Sequence, residues 1–323
     1  MESSTQVMLT IICYTYNHEQ YIRQTLDGFV NQKTSFKFKA IVHDDASTDG
    51  TASIVQEYAK KYPDIIKPIL QKENTYKTIG TRKRFQKYIL PEIEGEYVAF
   101  CEGDDYWVSD SKLERQVAYL ETHSECSACV HNSVFFNMNT NEKKAFNPSD
   151  ASERDFTLKD VVNGIYQVFH FSSLVYRREY IEVRPSYFDA AGFGDYPRAI
   201  QLSLVGKIHY FPQKWSVYRF CSNPTSWTAN NTGLKNVKKR ISLIDREIAM
   251  LTIVKAEVPQ YAEIIDESIS RKQYDKYYLS GDAYNIRAKD NFYTMYRKES
   301  LIRKMKFQMR KLLLCDIRKN NNE

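Results

Sequence analysis

The stretch FKAIVHDDASTDGTASIVQEY, residues 38–58, holds a strand pattern, an acidic turn and a helix pattern in direct succession. Residues 38–43 are the kind of apolar run that is found in strands covered on both faces. The turn supplies Asp, Ser and Thr side chains that can start a helix, and the helix predicted from Ala52 to Tyr62 ends before Pro63. A strand that leads directly into a helix is the repeating unit of a parallel sheet.

The same unit recurs on both sides of this stretch. The further predicted elements are a strand Val7–Cys13, a helix Glu19–Asn31, a strand Ile65–Leu70, a helix Thr81–Leu90 and a strand Glu96–Cys101. We therefore predict an α/β fold, Rossmann-like, with a mostly parallel sheet flanked by helices. Ligands of such sheets gather at the carboxyl ends of the strands, so the loops that follow the strands are the candidate site.

The later part of the chain is less regular. We predict a helix Ser111–Thr122, a strand Ala128–Phe136, a polar surface loop over residues 137–154, a helix Leu158–Asn163, a strand Ser173–Tyr176, a helix Tyr196–Leu204, and strands Ile208–Phe211 and Trp215–Phe220. From residue 233 onward the pattern is helical and poor in glycine. The predicted organisation is one domain over residues 1–230 and a helical C-terminal region over residues 231–323.

A second acidic turn, CEGDDYW at residues 101–107, follows a predicted strand and carries Glu102, Asp104 and Asp105. Like charges this close disfavour one another unless a cation or hydrogen bonds compensate them. Mg²⁺ and Mn²⁺ prefer oxygen ligands and are commonly held by one or two carboxylates together with substrate phosphates. Because Asp44 and Asp45 also follow a strand, we expect both clusters to face one crevice that holds a divalent cation.

Each of these motifs also has a structural interpretation. The segment around Asp44 and Asp45 could be only a turn with a helix N-cap, and Asp195 could cap the helix that begins near Pro197. Three histidines in apolar contexts are more often structural than catalytic: His131, His170 and His209. For the second acidic turn, its place after a buried strand favours the functional interpretation.

Four segments in order carry a resemblance to a known family. They are TIICYTYNHEQYIRQTL, IVHDDASTDGT, GEYVAFCEGDDYWVSDSKLERQV and GDYPRAIQLSLVGKIHY. Together they resemble the family 2 glycosyltransferases of the GT-A fold, in particular bacterial enzymes of surface-polysaccharide assembly. The resemblance covers about residues 6–228. It implies an inverting, metal-dependent transfer of a sugar from a nucleotide-sugar, most often a UDP-sugar, to a saccharide or lipid-linked saccharide.

The resemblance also implies a nucleotide-binding set. In such enzymes the loop after the first strand lines the nucleotide pocket, and the acidic pair after the second strand contacts the uracil and the ribose. The corresponding residues here are Thr15, Tyr16, Asn17, Asp44 and Asp45. Arg84 lies in the stretch that covers the nucleotide in relatives, and its guanidinium could fork onto the diphosphate.

The remaining implied residues belong to the chemistry. Glu102 replaces the first Asp of the family's D-x-D-D turn, Asp104 would contact the ribose or the metal, and Asp105 would bind Mg²⁺ or Mn²⁺ at the diphosphate. Asp195 matches the general base, and Arg219 would lie near the departing diphosphate. Many relatives carry a histidine two residues after that arginine, where this chain has a cysteine.

Two tryptophans are candidates for acceptor binding, because the face of an aromatic ring can stack on a sugar. They are Trp107 and Trp227. Both tryptophans could equally well pack in the core.

The C-terminal tail is strongly basic. Residues 297–319 hold nine Lys or Arg and two acidic residues, while the net charge of the whole chain is +6. On a helical wheel one side is apolar: Leu301, Ile302, Met305, Met309, Leu312 and Leu313. We expect this helix to lie on an anionic membrane near a lipid-linked acceptor, or else to pack on its own domain or on a second subunit in a homodimer. Nucleic acid is not expected, because no binding motif accompanies the charge.

Composition limits the remaining possibilities. A hydrophobic content of 42% indicates a globular chain. The chain lacks a run of about 18 apolar residues, a basic leader and a framework spacing of its six cysteines, so we expect a cytoplasmic protein with reduced thiols, peripheral at the inner face of the cell membrane. Cys126 and Cys129 form a Cys-x-x-Cys pair beside histidines, but no second pair follows, which favours packing over zinc.

Two alternative functions share these features. A sugar-nucleotide nucleotidyltransferase also combines a parallel sheet with carboxylate-held metal, but it usually carries a glycine-rich basic loop where this chain has residues 14–17. A non-catalytic sugar-binding or scaffold protein could keep the same fold. The released product separates the three functions: a nucleoside diphosphate indicates the glycosyltransferase, pyrophosphate indicates the nucleotidyltransferase, and no product indicates the scaffold.

Overall fold

The computed structural model describes residues 6–147, 151–164, 168–220 and 236–308, apart from the side chain of Lys77. The strands in these ranges are β1 Val7–Thr15, β2 Lys37–Asp44, β3 Ile66–Leu70, β4 Tyr97–Phe100, β5 Tyr106–Trp107, β6 Cys126–Asn137, β7 Glu142–Ala145, β8 Arg154–Phe156, β9 Val175–Arg177 and β10 Lys207–Phe220. The α-helices are α1 Ile22–Val30, α2 Thr51–Lys61, α3 Thr75–Arg84, α4 Lys112–Thr122, α5 Leu158–Asn163, α6 Glu179–Glu182, α7 Tyr187–Ala191, α8 Asp195–Val205, α9 Val237–Glu257, α10 Ala262–Ser280, α11 Ala283–Ala288 and α12 Asp290–Lys298.

The strands form one sheet in the order β3-β2-β1-β4-β9-β6-β10-β5, with β7 on β6 and β8 on β10. The first four strands of this order are parallel to one another. Strand β9 is antiparallel to both β4 and β6, and β10 runs parallel to β6. The predicted α/β fold with a parallel sheet and flanking helices is confirmed.

Strand β1 lies at the centre of the parallel half. Ile11 pairs with Ala40 of β2 and with Ala99 of β4, and all three side chains are fully buried. Leu26 and Phe29 of α1 pack into the same core. The continuous apolar run in β1 therefore reflects a strand that is covered on both faces, as the sequence predicts.

Several elements differ from the prediction. The polar residues 137–154 contain β7, which forms a hairpin with β6, and the start of β8. Three of the four residues of β7 are charged and exposed, so it gives no alternating signal and the sequence indicates a loop there. The two strands predicted over residues 208–220 are one strand, β10, whose register shifts around Lys214. Helix α3 begins before its predicted start, and a π-helix, Phe85–Ile89, follows it.

The chain divides into two compact units. The described part of the first unit comprises residues 6–147, 151–164, 168–184 and 198–220, and that of the second comprises residues 185–197 and 236–308. The second unit is helical, and one core cluster in it contains Tyr274, Tyr278, Ile286, Phe292 and Phe307. In the described ranges, no helix combines the length and the apolar character that a membrane span requires. The predicted domain boundary near residue 230 lies outside the described residues.

Candidate active site

Both acidic turns form hydrogen bonds to consecutive residues at the end of β1. The backbone N–H of Asp45 donates to the carbonyl of Thr15 at 3.1 Å, and the N–H of Gly103 donates to the carbonyl of Tyr14 at 2.9 Å. This arrangement follows from the topology, because β2 and β4 are the two parallel neighbours of β1 and end at the same edge of the sheet. Two acidic segments that are far apart in sequence therefore flank residues 14–15.

The loop that follows β1 is joined to the loop that follows β2. Asn17 adopts a left-handed backbone conformation with φ of 55°, which Asn tolerates better than most residues. Its side-chain oxygen accepts from the N–H of Thr48 at 2.8 Å, and its N–H donates to the hydroxyl of Ser47 at 2.9 Å. The N–H of His18 donates to the hydroxyl of Thr51 at 2.9 Å. The two loops thus form one hydrogen-bonded unit.

The other predicted nucleotide-binding residues differ in exposure. Thr15 is buried, whereas the ring of Tyr16 is 38% exposed. Asp44 is buried, and its carboxylate accepts from the N–H of Ser47 at 3.0 Å and from the Ser47 hydroxyl. Asp44 therefore stabilises its own turn, and the nucleotide contacts predicted for these three residues stay predictions.

The carboxylate of Asp45 is fully occupied within the protein. It accepts from the N–H of Thr75 at 2.8 Å, from the Thr75 hydroxyl, from the N–H of Tyr76 at 2.9 Å and from Nη1 of Arg84 at 3.3 Å. Burial opposes ionisation, but these hydrogen bonds and the arginine charge together hold the pKa of Asp45 below its usual value. A carboxylate has about four acceptor positions, and four donors occupy them here.

Arg84 is held by the same contacts. Its guanidinium lies 4.7 Å from the centre of the Tyr14 ring and 5.4 Å from that of the Tyr76 ring, and the residue is buried. Stacking on two rings and pairing with Asp45 fix its orientation. The diphosphate contact predicted for Arg84 stays a prediction.

The second acidic turn packs tightly against the loop that follows β1. A Cβ atom at Gly103 would lie 2.7 Å from the hydroxyl oxygen of Thr15 and 2.9 Å from Nδ1 of His18, so only glycine fits. Asp105 is buried, and burial, followed by the charge of Asp104, raises the pKa of its carboxyl well above the usual value. Asp104 is half-buried and Glu102 is exposed. Burial therefore opposes the charged form of Asp105, whereas the hydrogen bond and the charge of Arg219 favour it.

Arg219 fixes the position of this turn. Strand β10 pairs antiparallel with β5, which places Arg219 beside Asp104 and Asp105. The N–H of Arg219 donates to Oδ1 of Asp105 at 2.9 Å, and Nη1 donates to the carbonyl of Asp104 at 2.5 Å. The guanidinium also lies 4.9 Å from the centre of the Tyr21 ring and 4.3 Å from that of the Tyr106 ring. Arg219 thus acts within the protein as a clamp on the turn, and its contact with a diphosphate stays a prediction.

Two histidines face the paired aspartates. Nε2 of His18 lies 3.9 Å from Oδ2 of Asp104, and Nε2 of His170 lies 3.7 Å from Oδ2 of Asp105. Burial lowers the pKa of His170 to about 3, so its imidazole is neutral. His18 carries no distinctive signal of its own in the sequence, and the apolar context of His170 favours a structural role there. Only the strand order reveals His170, because β9 runs antiparallel to β4 and the residues before β9 therefore meet the turn after β4.

Trp107 is buried, which favours core packing, and its acceptor role stays a prediction. The ring is 4% exposed and its Nε1–H donates to the carbonyl of Ser172 at 2.9 Å. The centre of the Phe29 ring lies 5.0 Å from that of Trp107, and the amine of Lys112 lies 4.2 Å from the centre of the Trp107 ring. Trp227 lies outside the described residues. Asp195 is the first residue of α8 and is half-buried, and it belongs to the second compact unit.

The acidic turn suits a cation that substrate phosphates help to bind. In the described part of the chain, no three His, Cys, Asp or Glu side chains form a group that could hold a metal by themselves. Mg²⁺ and Mn²⁺ commonly take only one or two protein carboxylates and complete their shell with phosphates and water. The buried carboxylate of Asp105, with Asp104 beside it, supplies such a partial set.

The chain is similar to proteins of known and unknown role. An uncharacterized protein of Mycobacterium tuberculosis is 37% identical over 65% of this chain and 58% of its own length, so the chain spans less than two thirds of that relative. Poly(ribitol-phosphate) beta-N-acetylglucosaminyltransferase TarS of Staphylococcus aureus is 30% identical over 35% of this chain and 19% of TarS.

Solved structures share the fold. The crystal structure of S. aureus TarS 1–349 in complex with UDP has a TM-score of 0.55 and 17% identity, and it covers 85% of this chain and 80% of that one. Mannosyltransferase PcManGT from Pyrobaculum calidifontis, in complex with GDP-Man and Mn²⁺, has a TM-score of 0.54 and 17% identity over 96% of this chain and 81% of that one. The family model of glycosyl transferase family 2 matches residues 10–184, more than half of the sequence. This chain therefore belongs to glycosyl transferase family 2.

Proposed function

We propose that this protein is an inverting, metal-dependent glycosyltransferase. It moves a sugar from a UDP-sugar to a saccharide or lipid-linked saccharide acceptor during synthesis of a surface polysaccharide. The observation that carries the proposal is the meeting of two acidic turns at the last residues of β1, in a chain of glycosyl transferase family 2. The similarity to TarS, whose name states transfer of N-acetylglucosamine to poly(ribitol-phosphate), supports a surface polymer as the product.

The acceptor is activated by a carboxylate in this proposal. A sugar hydroxyl has a high pKa and attacks poorly, so a base within hydrogen-bond reach must take its proton as the new bond forms. Asp195 is assigned this role. The acceptor oxygen bonds to C1 of the donor sugar while the bond from C1 to the diphosphate oxygen breaks on the opposite face. The anomeric configuration is therefore inverted in one displacement.

In this proposal the second acidic turn stabilises the leaving group. Asp105 and Asp104 would hold Mg²⁺ or Mn²⁺, whose charge neutralises the departing nucleoside diphosphate. Arg219 holds these two residues in place from β10. The complex of PcManGT with GDP-Man and Mn²⁺ supports a divalent metal.

The second unit contains the surface that would bind a membrane in this proposal. In the helical residues 301–308, Leu301, Ile302 and Met305 are 74%, 66% and 59% exposed, and the surrounding sequence is basic. This face would hold the enzyme at the cytoplasmic surface of an anionic membrane, where a lipid-linked acceptor is presented. In the alternative, a second copy of the chain covers this face in a homodimer.

A donor panel tests the proposal. The full chain is incubated with Mn²⁺ and a set of nucleotide-sugars, and release of nucleoside diphosphate is followed. We expect UDP from one UDP-sugar, no release in EDTA, and the β-anomer as the first sugar product of an α-linked donor in ¹H NMR. Pyrophosphate as the product would replace the proposal with nucleotidyl transfer, and the α-anomer would rule out inversion.

A further inference from the structure

Four aromatic side chains lie near the second acidic turn, at the ends of β6 and β10 and directly after β7. They are Phe135, Phe146, Tyr218 and Phe220, and we call them the aromatic face. We propose that the aromatic face binds the sugar rings of the acceptor, so that the acceptor is a saccharide chain of two or more units. The inference rests on the proposed function and deepens it, because it names the class of acceptor and the surface that holds it.

The register of the sheet places this face next to the acidic turn. Strands β5 and β10 are antiparallel, and Val217 lies opposite Tyr106. Tyr218, which follows Val217, is therefore beside Asp105, which precedes Tyr106. The N–H of Arg219 donates to Oδ1 of Asp105 at 2.9 Å, in agreement with this register. A sugar ring on Tyr218 would thus lie at the acidic turn.

A series of ring contacts leads away from the turn. Nε2 of His170 lies 3.7 Å from Oδ2 of Asp105, and the His170 ring stacks on Tyr218 with centres 4.0 Å apart. The centre of the Tyr218 ring is 5.8 Å from that of Phe135, which is 5.1 Å from that of Phe220. A pyranose and a benzene ring are both six-membered, so three successive aromatic rings offer more surface than one sugar can cover. The surface therefore suits a chain of sugars.

The rings of the aromatic face remain partly accessible. All four residues are half-buried. Apolar groups that stay accessible together commonly mark a binding surface. Trp107 is the contrast, because its ring is 4% exposed and packs in the core of the sheet. The aromatic face therefore offers a sugar more accessible ring surface than Trp107 does.

Backbone contacts hold one edge of the face in place. The N–H of Phe146 donates to the carbonyl of Ser133 at 2.8 Å. The N–H of Asn147 donates to Oδ1 of Asn132 at 3.0 Å, and Nδ2 of Asn132 donates back to the carbonyl of Asn147 at 2.9 Å. The segment after β7 is thus fixed to β6. A surface that is ordered before its ligand arrives loses less entropy on binding.

The chemistry of a sugar ring matches this surface. One side of the ring presents C–H groups, whereas the hydroxyls point outwards from its rim. The face of a Phe or Tyr ring can cover the C–H groups and leave the hydroxyls free to form hydrogen bonds. Each aromatic contact contributes modestly, so affinity grows when several sugars are bound at once. We expect affinity to rise about two- to ten-fold with each added unit over the first three units.

The experiment is saturation-transfer NMR on the full chain with Mn²⁺ and UDP. The probes are β-1,4-linked oligomers of glucose and of N-acetylglucosamine, each with one to four units. Saturation of the aromatic protons of the protein should pass to the sugar C–H protons in at least one series, and the Kd of that series should fall as the oligomer lengthens. The wild-type series decides the matter without any variant.

Phe220→Leu removes the ring at the far end of the face and keeps an apolar side chain. We expect the third sugar unit to add no affinity in this variant, whereas Phe220→Tyr keeps the ring and should retain the gain. Phe135 is less suitable for the test, because Nζ of Lys144 lies 5.3 Å from the centre of its ring and a substitution would also disturb β7. Tyr284→Leu, at a side chain that is 80% exposed in the second unit, is the control. Circular dichroism checks that the variants fold.

The outcomes separate the inference from the function beneath it. Absence of saccharide binding in the wild type, binding that is independent of length, or binding that Phe220→Leu leaves unchanged would overturn the aromatic face and leave the proposed glycosyl transfer intact. A dimer that Phe220→Leu breaks, without saccharide binding, would assign the face to a second copy of the chain. Length-dependent binding in a chain that releases no nucleoside diphosphate from any donor would support the face and contradict the function.

Discussion

The backbone N–H of Arg219 donates to Oδ1 of Asp105, and the side chain of the same arginine donates to the carbonyl of Asp104. One residue of β10 therefore holds the turn after β4 through two kinds of contact. A substitution at position 219 removes the side-chain contacts and leaves the backbone contact in place.

Arg219→Lys tests the clamp. Lysine keeps the charge but loses the planar fork that reaches Asp104 and contacts the rings of Tyr21 and Tyr106. We expect Mn²⁺ affinity in the presence of UDP to fall about ten-fold, and the free energy of unfolding to fall by about 1–3 kcal/mol. The matched control is Arg23→Lys, whose ion pair with Glu57 is exposed and should matter little to either measurement. Unchanged Mn²⁺ affinity in Arg219→Lys would count against the clamp.

Gly103→Ala tests the packing of the acidic turn on the loop after β1. The added Cβ would meet the side chain of Thr15 at 2.7 Å and that of His18 at 2.9 Å. Overpacking of this kind costs about 1–3 kcal/mol. We expect a lower midpoint of urea unfolding and weaker metal binding. Gly194→Ala, where the new Cβ meets nothing within 4 Å, is the stability control and should unfold at the wild-type urea concentration.

Asp195→Asn and Asp105→Ala should separate the chemical step from donor binding. Loss of a general base costs about 10²- to 10⁴-fold in rate, so Asp195→Asn should lower kcat by that factor and leave the Kd for UDP and Mn²⁺ unchanged. Asp105→Ala should instead abolish metal-dependent UDP binding. Calorimetry gives the Kd and a diphosphate-release assay gives the rate. An equal loss of donor affinity in both variants would show that Asp195 has been given the wrong role.

Asp45→Asn should change how stability depends on pH. The folded protein holds the pKa of Asp45 below its usual value, so the ionised form adds stability above the unfolded pKa of about 3.9. That contribution disappears as the pH falls through the lower, folded pKa. The wild type should therefore exceed Asp45→Asn by about 1–3 kcal/mol at pH 6, and the difference should shrink towards pH 3. Thermal unfolding at both pH values measures it, and a constant difference would contradict the assignment.

The triple variant Leu301→Gln, Ile302→Gln, Met305→Gln tests the membrane face. These side chains are exposed, so their replacement should spare the fold, whereas Phe307 on the same helix is buried against Tyr278 and must be kept. We expect less binding to anionic liposomes and unchanged activity on a soluble acceptor. Val183→Gln, an equally exposed aliphatic position in the first unit, is the control. A dimer in solution that the triple variant breaks, with liposome binding unchanged, would assign the face to a second subunit.

The sequence predicts the parallel half of the sheet well. The ends of strands β1, β2 and β4 lie within two residues of their predicted positions, because a strand that is covered on both faces is apolar along most of its length. The acidic turns are also predictable, since their position at strand ends follows from chain order alone. Strand β7 is missed because three of its four residues are exposed and charged, and exposed edge strands need no apolar pattern.

The sequence does not predict how the distant residues of the site meet. From the sequence, Trp107 could stack on a sugar or pack in the core, and only the structure shows that Phe29 of α1 and Lys112 lie against its ring. The approach of His170 to Asp105 depends on β9 inserting between β4 and β6, and strand order of this kind is set by packing across the whole sheet. Side chains that are brought together by a non-sequential strand leave no local pattern in the chain.

The saturated carboxylate of Asp45 has a consequence for how a nucleobase would be discriminated. A pyrimidine whose imide N–H reached this carboxylate would have to replace one of the internal donors, because the roughly four acceptor positions are already taken. Swapping one donor for another of similar strength yields little net attraction. A base that presents a lone pair at the same point would meet only repulsion. Asp45 would then reject nucleotide-sugars that carry the wrong base. The affinity for the correct nucleotide-sugar would come from other contacts in the pocket.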